Sequence, residues 1–398
     1  MASNITDVAS FDDPVQIPDD GETADSASLL LFVQALANRD EFLRTMIESA
    51  LLDVSAQSLS GTNELRNLLR MHAASAALGA AADVTGGAGF PTYADPLNAI
   101  VANATRFLAV GEPDVSESNL RAMYSLDGIT WTAITAANGT EGLNAIATGA
   151  GNFCAGGDSG RVVLFNSFGS YVSDTAISGT PTIHAMAYGN SYWVAATSSG
   201  LWYSSDAVTW TQHSYNTGVN KPAVAFGNGY FVFSDASSGV RYLTDPTSGT
   251  TTDIPSFPAV DTLAFGDNIF IGTLDAADDV YVWNSTTPDP AATAAAHGTA
   301  FTGTRVFYLE SLGVFAFPVT SAASGVESNL LLSCDGRRFA SIGSNLAVVG
   351  APPTYAGMAA GPLASDIAGL PIIVGESSGA PVVHRGNRAG LNVPRASY

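Results

Sequence analysis

The sequence predicts a mainly β protein, a β-propeller of about seven blades preceded by an α-helical N-terminal region for oligomerisation and attachment. Three observations carry that expectation. An apolar string ending near a glycine returns in register from Ala145, Ala185, Ala223 and Leu263, and Gly149, Gly189, Gly227 and Gly266 follow one another at steps of 40, 38 and 39 residues. A short turn and a further strand come after each string: SGRVVLF from 159, SGLWYSS from 199, SGVRYLT from 238 and DDVYVWN from 278. The first eighty residues carry a helical period instead.

In chain order, residues 1–25 hold seven acids, no base and the prolines Pro14 and Pro18, which predicts an acidic extended arm without a core of its own. Residues 26–82 are predicted to be helical. Leu29, Phe32, Val33, Leu36, Leu43, Met46, Ile47 and Val54 recur at spacings of three and four and form one apolar stripe. A second helix is expected after Ser60-Gly61 with Thr62 as N-cap, running through Leu65, Leu68, Leu69 and Met71 into an alanine-rich end. Neither stripe can be buried against itself. Burial must come from each other, from the propeller or from other copies of the chain, and the heptad-like spacing favours the last. Residues 83–96 contain TGGAGFPTYADP, whose glycines and prolines predict a linker, part of which is available as a ring-closing strand.

Residues 97–398 are the predicted propeller. Units of about forty residues holding several short strands are the signature of four-stranded blades set radially. Weaker copies near Asn103, Ser311 and Gly361 bring the count to about seven. A β-sandwich would not repeat one string four times in register, and a solenoid would have shorter, more uniform units.

Composition narrows the function. Apolar residues make up 46% and charged residues 13%, which suits extensive buried sheet. Against 36 Asp and Glu stand 15 Lys and Arg, for a net charge of −21, so nucleic acid and anionic membranes would be repelled. The N-terminus lacks a basic segment followed by a long apolar run, and LLLFV at Leu29 is too short to span a bilayer, so neither a secretory signal nor membrane insertion is expected. Cys154 and Cys334 lie in unlike contexts and are expected to be buried thiols. The five histidines show no metal-like pairing, and His184 is expected to be an ordinary strand residue. No metal site and no cofactor are expected.

YSLDGITWTAI, Tyr124 to Ile134, returns as YSSDAVTWTQH from Tyr203, and in degraded form as LSCDGRRFASI. An Asp at such a bend accepts hydrogen bonds from backbone N–H groups just ahead of it. The string resembles the Asp-box, the bacterial neuraminidase repeat Ser-x-Asp-x-Gly-x-Thr-Trp. Ser125, Asp127, Gly128 (one place early), Thr130 and Trp131 match, as do Ser204, Asp206, Thr209 and Trp210, with Ala207 where a glycine is missing. The third copy keeps Ser333, Asp335 and Gly336, with Phe339 in the Trp place. The resemblance implies a structural corner on propeller blades, found in enzymes and non-enzymes alike.

A second resemblance covers about thirty residues. DDPVQIPDDGETADSASLLLFVQALANRDEFL looks like the N-terminal segment of tailed-bacteriophage fibre and appendage proteins, through Asp13, Pro14, Val15, Pro18, Gly21, Ala24, Ser28, Gln34, Leu36, Ala37, Asn38 and Arg39. It implies a virion structural protein, a tail or capsid fibre or appendage, commonly trimeric. Its N-terminus would dock on other virion proteins, and its propeller would face outward to a host-surface glycan or protein. The Asp-box resemblance leaves a sialidase-like glycoside hydrolase as the enzymatic alternative. That chemistry needs an arginine triad, a Tyr–Glu nucleophile pair and an acid/base Asp at the channel end. Arg106, Arg121, Arg161, Arg241, Arg305, Arg337, Arg338, Arg385, Arg388 and Arg395 are present, but no such set assembles at family-like spacing, so no catalytic residue is assigned. Arg161 and Arg241 are expected on the solvent side of their blades. A purely structural decoration protein without receptor is the third alternative.

Overall fold

The computed structural model describes residues 82–386 apart from gaps at 86–89, 94, 216–221, 236–238, 275–278, 285–292, 297–300, 303–304, 322–328, 338, 343–353, 361–369 and 378–379, together with positions 67, 70, 71, 74, 75 and 78. The chain divides into two compact units, Met1–Arg66 and Asn67–Tyr398, and every described residue belongs to the second. The acidic arm and the stripe from Leu29 to Val54 lie outside the described residues.

Among the described residues the strands form seven antiparallel sheets, the seven blades of a propeller. Blade 1 is typical: Leu97–Ala102, Phe107–Asp114, Leu120–Ser125 and Trp131–Ala133 pair in sequence order from the channel outward. Blades 2 to 5 repeat that order, their innermost strands being Leu143–Gly149, Ile183–Gly189, Val224–Gly227 and Thr262–Gly266. Blade 6 starts at the channel with Phe307–Leu309, and blade 7 with Thr354–Ala360. The inner strands all run from one face, called upper here, to the other, called lower. Turns between first and second strands, and between third and fourth, therefore lie on the lower face. Several first turns are tight: Ala150-Gly151, Asn228-Gly229 and Asp267-Asn268 have positive φ at both central residues, the twist that a right-handed hairpin requires.

The core is seven slabs, one in each cleft between neighbouring blades. The repeated glycine belongs to these slabs. A Cβ on Gly149, Gly189, Gly227 or Gly266 would lie 2.0–2.3 Å from the ring of Tyr188, Phe226, Phe265 or Tyr308, each on the inner strand of the next blade. Each ring also packs on the aromatic paired with it across its own blade, as Phe265 does on Phe270 at 4.7 Å between centroids. Where the next blade carries a small residue instead, Thr148 after Asn103 or Ala360 after Leu309, no glycine is needed. The period seen in the sequence is thus the footprint of a ring-on-glycine contact.

Blade 7 closes differently. Its outermost strand is Ala82–Asp83, antiparallel to Ala380–Arg385, and Val84 N–H continues the ladder by donating to the Val383 carbonyl at 2.9 Å. Ahead of that strand, positions 67, 70, 71, 74, 75 and 78 are helical. Met71, Ala74 and Leu78 are buried in the cleft between blades 6 and 7 with Leu309, Leu332, Met358 and Ile373. Arg70 pairs with Asp267 at 2.7 Å, on the lower face. Of the three options for the second helix, Met71, Ala74 and Leu78 take burial against the propeller, while Leu65, Leu68 and Leu69 lie outside the described residues. Tyr93 is buried in the cleft between blades 7 and 1, with Val84 and Phe90 against the same cluster, so this stretch packs as part of the propeller rather than as a free linker. The boundary expected at residue 97 therefore falls earlier, because the ring takes its last strand from the N-terminal side.

Candidate functional site

The three Ser-x-Asp strings occupy one structural place, the bend between third and fourth strands on the lower face. Asp127 Oδ1 accepts from the N–H groups of Ile129 and Thr130, both at 2.8 Å, and Ser125 Oγ accepts from Gly128 N–H at 2.8 Å. Asp206 Oδ1 accepts from Val208 at 2.8 Å and Thr209 at 2.7 Å; Asp335 Oδ1 accepts from Arg337 at 2.9 Å. Burial of the Asp127 carboxylate pushes its pKa up, but the donors on Thr130, Ile129 and Ser125 outweigh this and hold it below the ordinary carboxylate value. For Asp206 the backbone donors of Thr209 and Val208 dominate and lower it likewise. Trp131 is buried on the cluster between blades 7 and 1, Trp210 and Phe339 pack partly buried on theirs, and Ala207 adopts φ +61° where the other copies have Gly128 and Gly336.

Two blades carry the same bend with other letters. Asn166 Oδ1 accepts from Phe168 N–H at 2.9 Å in blade 2, and Asp245 Oδ1 from Thr247 N–H at 2.8 Å in blade 4. All five bends are turn devices, and they do not converge on the channel.

The channel is lined by the inner strands of all seven blades and encloses about 440 Å³. Its upper mouth is a polar cavity of about 330 Å³, ringed by Asn98, Asn144, His184, Asp261 and Arg305, with Glu112 and Asp158 behind them. The local backbone explains the ring. The register of the first two strands slips at Leu97/Ala99, Leu143/Ala145 and Ile183/Ala185, leaving Asn98, Asn144 and His184 as the extra residue of a β-bulge. A bulge frees a residue from the ladder and re-aims its side chain.

These side chains also link blades. Asn98 Nδ2 donates to Glu112 Oε1 at 2.8 Å and to the Leu143 carbonyl of blade 2 at 3.2 Å. Asn144 Nδ2 donates to Asp158 Oδ1 at 3.0 Å and to the Ile183 carbonyl of blade 3 at 3.4 Å. Arg305 repeats the link from blade 6 to blade 7, donating to the Ala356 carbonyl at 3.1 Å while its side chain stays exposed. The mouth is thus a rigid ring of amide, carboxylate, imidazole and guanidinium groups. Such a ring can recognise polar groups on a ligand that enters along the axis.

The arginine set of a glycosidase does not gather there. Among the described residues the mouth holds one arginine, Arg305, and no tyrosine. Arg121 is fully buried, pairs with Asp174 and donates to the Ala137 carbonyl at 2.7 Å. Arg241, expected on the solvent side, is mostly covered, pairs with Asp253 and lies 4.7 Å from the Tyr215 ring centroid. Arg161 is partly exposed and pairs with Glu141 at 3.5 Å. Among the described residues no cluster of His, Cys, Asp and Glu could hold a metal ion, and no helix is long and apolar enough to cross a membrane. Cys154 and Cys334 are both buried and free.

The mouth is the feature that sequence reasoning misses. His184, expected to be a plain strand residue, sits on a bulge at the channel. The signal is present as LNAI at Leu97, LNAI again at Leu143, and IHAM at Ile183, a polar residue before alanine at the start of each inner strand.

Radial four-stranded sheets around such a channel define the class: a seven-bladed β-propeller. No protein-family model matches the sequence, and no curated relative matches it either. Solved structures do share the fold. One described as "YCF48 bound to D1 peptide" superposes with a TM-score of 0.53 at 11% identity, over 74% of this chain and 93% of that one. A chain of the "Crystal Structure of Mitotic Checkpoint Complex" gives 0.54 at 11% identity, over 74% and 89%. At that identity the likeness is one of fold alone.

Proposed function

We propose that the protein is a structural appendage of a tailed-bacteriophage particle, held by its N-terminal region and using the propeller as a binding head for a host-surface glycan or protein. The observation that carries the reading is polarity. The chain reaches the propeller on its lower face, where Arg70 meets Asp267, whereas the polar mouth opens on the upper face. A propeller tethered from below presents that mouth away from its support. The likeness of residues 12–43 to phage appendage segments supplies the kind of support, and the apolar stripe from Leu29 to Val54 fits a trimeric stem. Binding is non-covalent: the ring at Asn98, Asn144, His184, Asp261 and Arg305 offers fixed donors and acceptors.

The test is binding of the fluorescently labelled full chain to intact bacteria, with light-scattering mass measured alongside. A trimer that binds cells, and loses at least tenfold in affinity on Arg305→Glu with unchanged thermal unfolding, is the expected result. A monomer, or cell binding that ignores the mouth substitution, overturns the reading.

A further inference from the structure

The ring at the upper mouth is uneven in charge. Glu112, Asp158 and Asp261 line it against a single guanidinium, that of Arg305. The first two carboxylates belong to neighbouring blades, 1 and 2, and the amides that hold them meet, with Asn98 Nδ2 at 3.4 Å from Asn144 Oδ1. Arg305, on blade 6, stands two blades from the one and three from the other. Each of the paired carboxylates is held through one oxygen. Glu112 Oε1 takes the Asn98 amide at 2.8 Å and Asp158 Oδ1 takes the Asn144 amide at 3.0 Å, and neither carboxylate accepts a second hydrogen bond among the described residues. Gly142 makes room for the first of them, since a Cβ there would stand 2.4 Å from Glu112 Oε2.

That inventory selects among ligands. An acidic sugar or a phosphate would have to approach three carboxylates that share one cleft, where like charges reinforce one another. A neutral sugar offers the flat C–H face of its ring, and no Phe, Tyr or Trp lines the mouth among the described residues to receive it. An amino sugar carries a cation but brings the same ring face. What matches adjacent carboxylates, each with an oxygen to spare, is a group of several N–H donors bearing positive charge. Arg305 asks for something else: its guanidinium donates once among the described residues, to the Ala356 carbonyl, and is otherwise exposed, so it is available to a second acceptor. A basic side chain on a polypeptide supplies both, a cationic tip and the main-chain carbonyls beside it.

We propose that the mouth receives an arginine or lysine side chain of a protein partner, its charged tip held by Glu112 and Asp158 while Arg305 donates to a main-chain carbonyl of the same segment. This rests on the reading of the upper mouth as the binding end of the propeller, and it chooses the protein over the glycan as the ligand. Charge complementarity is what favours that partner: three carboxylates against one guanidinium leave the mouth acidic. The β-bulges that place Asn98 and Asn144 hold the two carboxylates in position before any ligand arrives.

The experiment is isothermal titration of the full-length chain with the tripeptide Gly-Arg-Gly capped at both ends, against the same peptide with citrulline, a neutral isostere, in place of arginine, and against glucosamine. The expected result is that the arginine peptide binds at least tenfold more tightly than the citrulline peptide and more tightly than glucosamine. Glu112→Gln and Asp158→Asn each keep the oxygen that takes the Asn amide, so together they should abolish the preference and leave thermal unfolding unchanged. Equal affinities for the two peptides, or no saturable binding of either, overturn the proposal. So does a preference that survives both substitutions, which would belong to the overall charge of −21 and not to the mouth, and so does tighter binding of glucosamine. Failure of the underlying reading looks different. A chain that shows the arginine preference but binds no cells keeps this ligand and loses the host surface, whereas peptides bound alike by a chain whose cell binding is abolished by Arg305→Glu keep the mouth and lose this ligand.

Discussion

Blade 3 and blade 7 solve one problem in different ways. Blade 3 is continuous: its strands Ile183–Gly189, Tyr192–Thr197, Gly200–Ser204 and Thr211–Gln212 follow one another, and the bend at Asp206 leads from its third strand to its fourth. Blade 7 takes its outer strand from Ala82–Asp83, and its cleft with blade 6 is filled by Met71, Ala74 and Leu78. A ring built from sequential blades has one seam, and here the seam is sealed by chain that precedes the first blade. Local hydrogen bonds suffice inside a blade, whereas the seam joins residues some three hundred positions apart. Loss of a bend costs a blade little, but loss of the seal opens the ring.

The largest effect should follow from breaking that asymmetry. Removing everything before residue 84 takes away the last strand of blade 7 and two large core side chains, each worth about 2–5 kcal/mol when truncated. The expected outcome is a chain starting at residue 84 that has lost its cooperative thermal transition, or unfolds more than 10 °C below one starting at residue 67. Equal unfolding temperatures would mean that the seam is held by blades 6 and 7 alone. Leu78→Asp makes the same comparison without truncation, by placing a charge in the sealed cleft of the full chain.

The comparison also explains what is legible in the sequence. Blades 2 to 5 stand out because a glycine in each lies under the ring of the following blade, and that contact fixes two residue types at a constant period. Near Asn103, Ser311 and Gly361 the repeat is weak because rings are absent at the seam: the inner strands of blades 7, 1 and 2 place Ala360, Ala102 and Thr148 where blades 3 to 6 have Tyr or Phe. Three of five bends are legible because they keep Ser before Asp. The other two are not, since Asn166 and Asp245 follow Phe165 and Leu243 where the legible copies have Ser. The mouth is hidden for another reason: a bulge is a shift of register between two strands, and no single residue type marks it.

A middle-sized effect should come from the ring-on-glycine contacts. Gly227 is not in the positive φ region, so Gly227→Ala acts through space alone, and its Cβ would stand 2.1 Å from the Phe265 ring. Overpacking of this kind costs about 1–3 kcal/mol. Gly151→Ala is the contrasting change: its φ is +75° with nothing within 4 Å of the added Cβ, so only backbone strain of about 1 kcal/mol applies. Urea unfolding should rank Gly227→Ala as the more damaging, and Phe265→Ala in the same chain should recover part of the loss by double-mutant cycle. An additive cycle would show that ring and glycine do not compete for one space.

The smallest effect concerns the bends. Asp127, Asp206 and Asp245 all titrate below the ordinary carboxylate value, the first against a burial that opposes its donors, the others chiefly through backbone N–H groups. A carboxyl group with a lower pKa folded than unfolded binds fewer protons in the folded state. Its contribution is therefore complete above the unfolded value near 4 and is lost as pH falls through the folded value. Blade 2 already runs the bend on a neutral acceptor, Asn166, so Asp206→Asn should keep the turn and give up only the charge. Asp206 is largely exposed, and solvent screening limits the loss to about 0.5 kcal/mol at pH 7. Urea midpoints for the two proteins should then converge as the pH falls through the lowered folded value of Asp206, below which that carboxyl is itself neutral. If the gap persisted unchanged at the acid end of the titration, the advantage of Asp206 would lie in its shape rather than its charge, and the bends of blades 2 and 3 would differ in geometry and not in electrostatics.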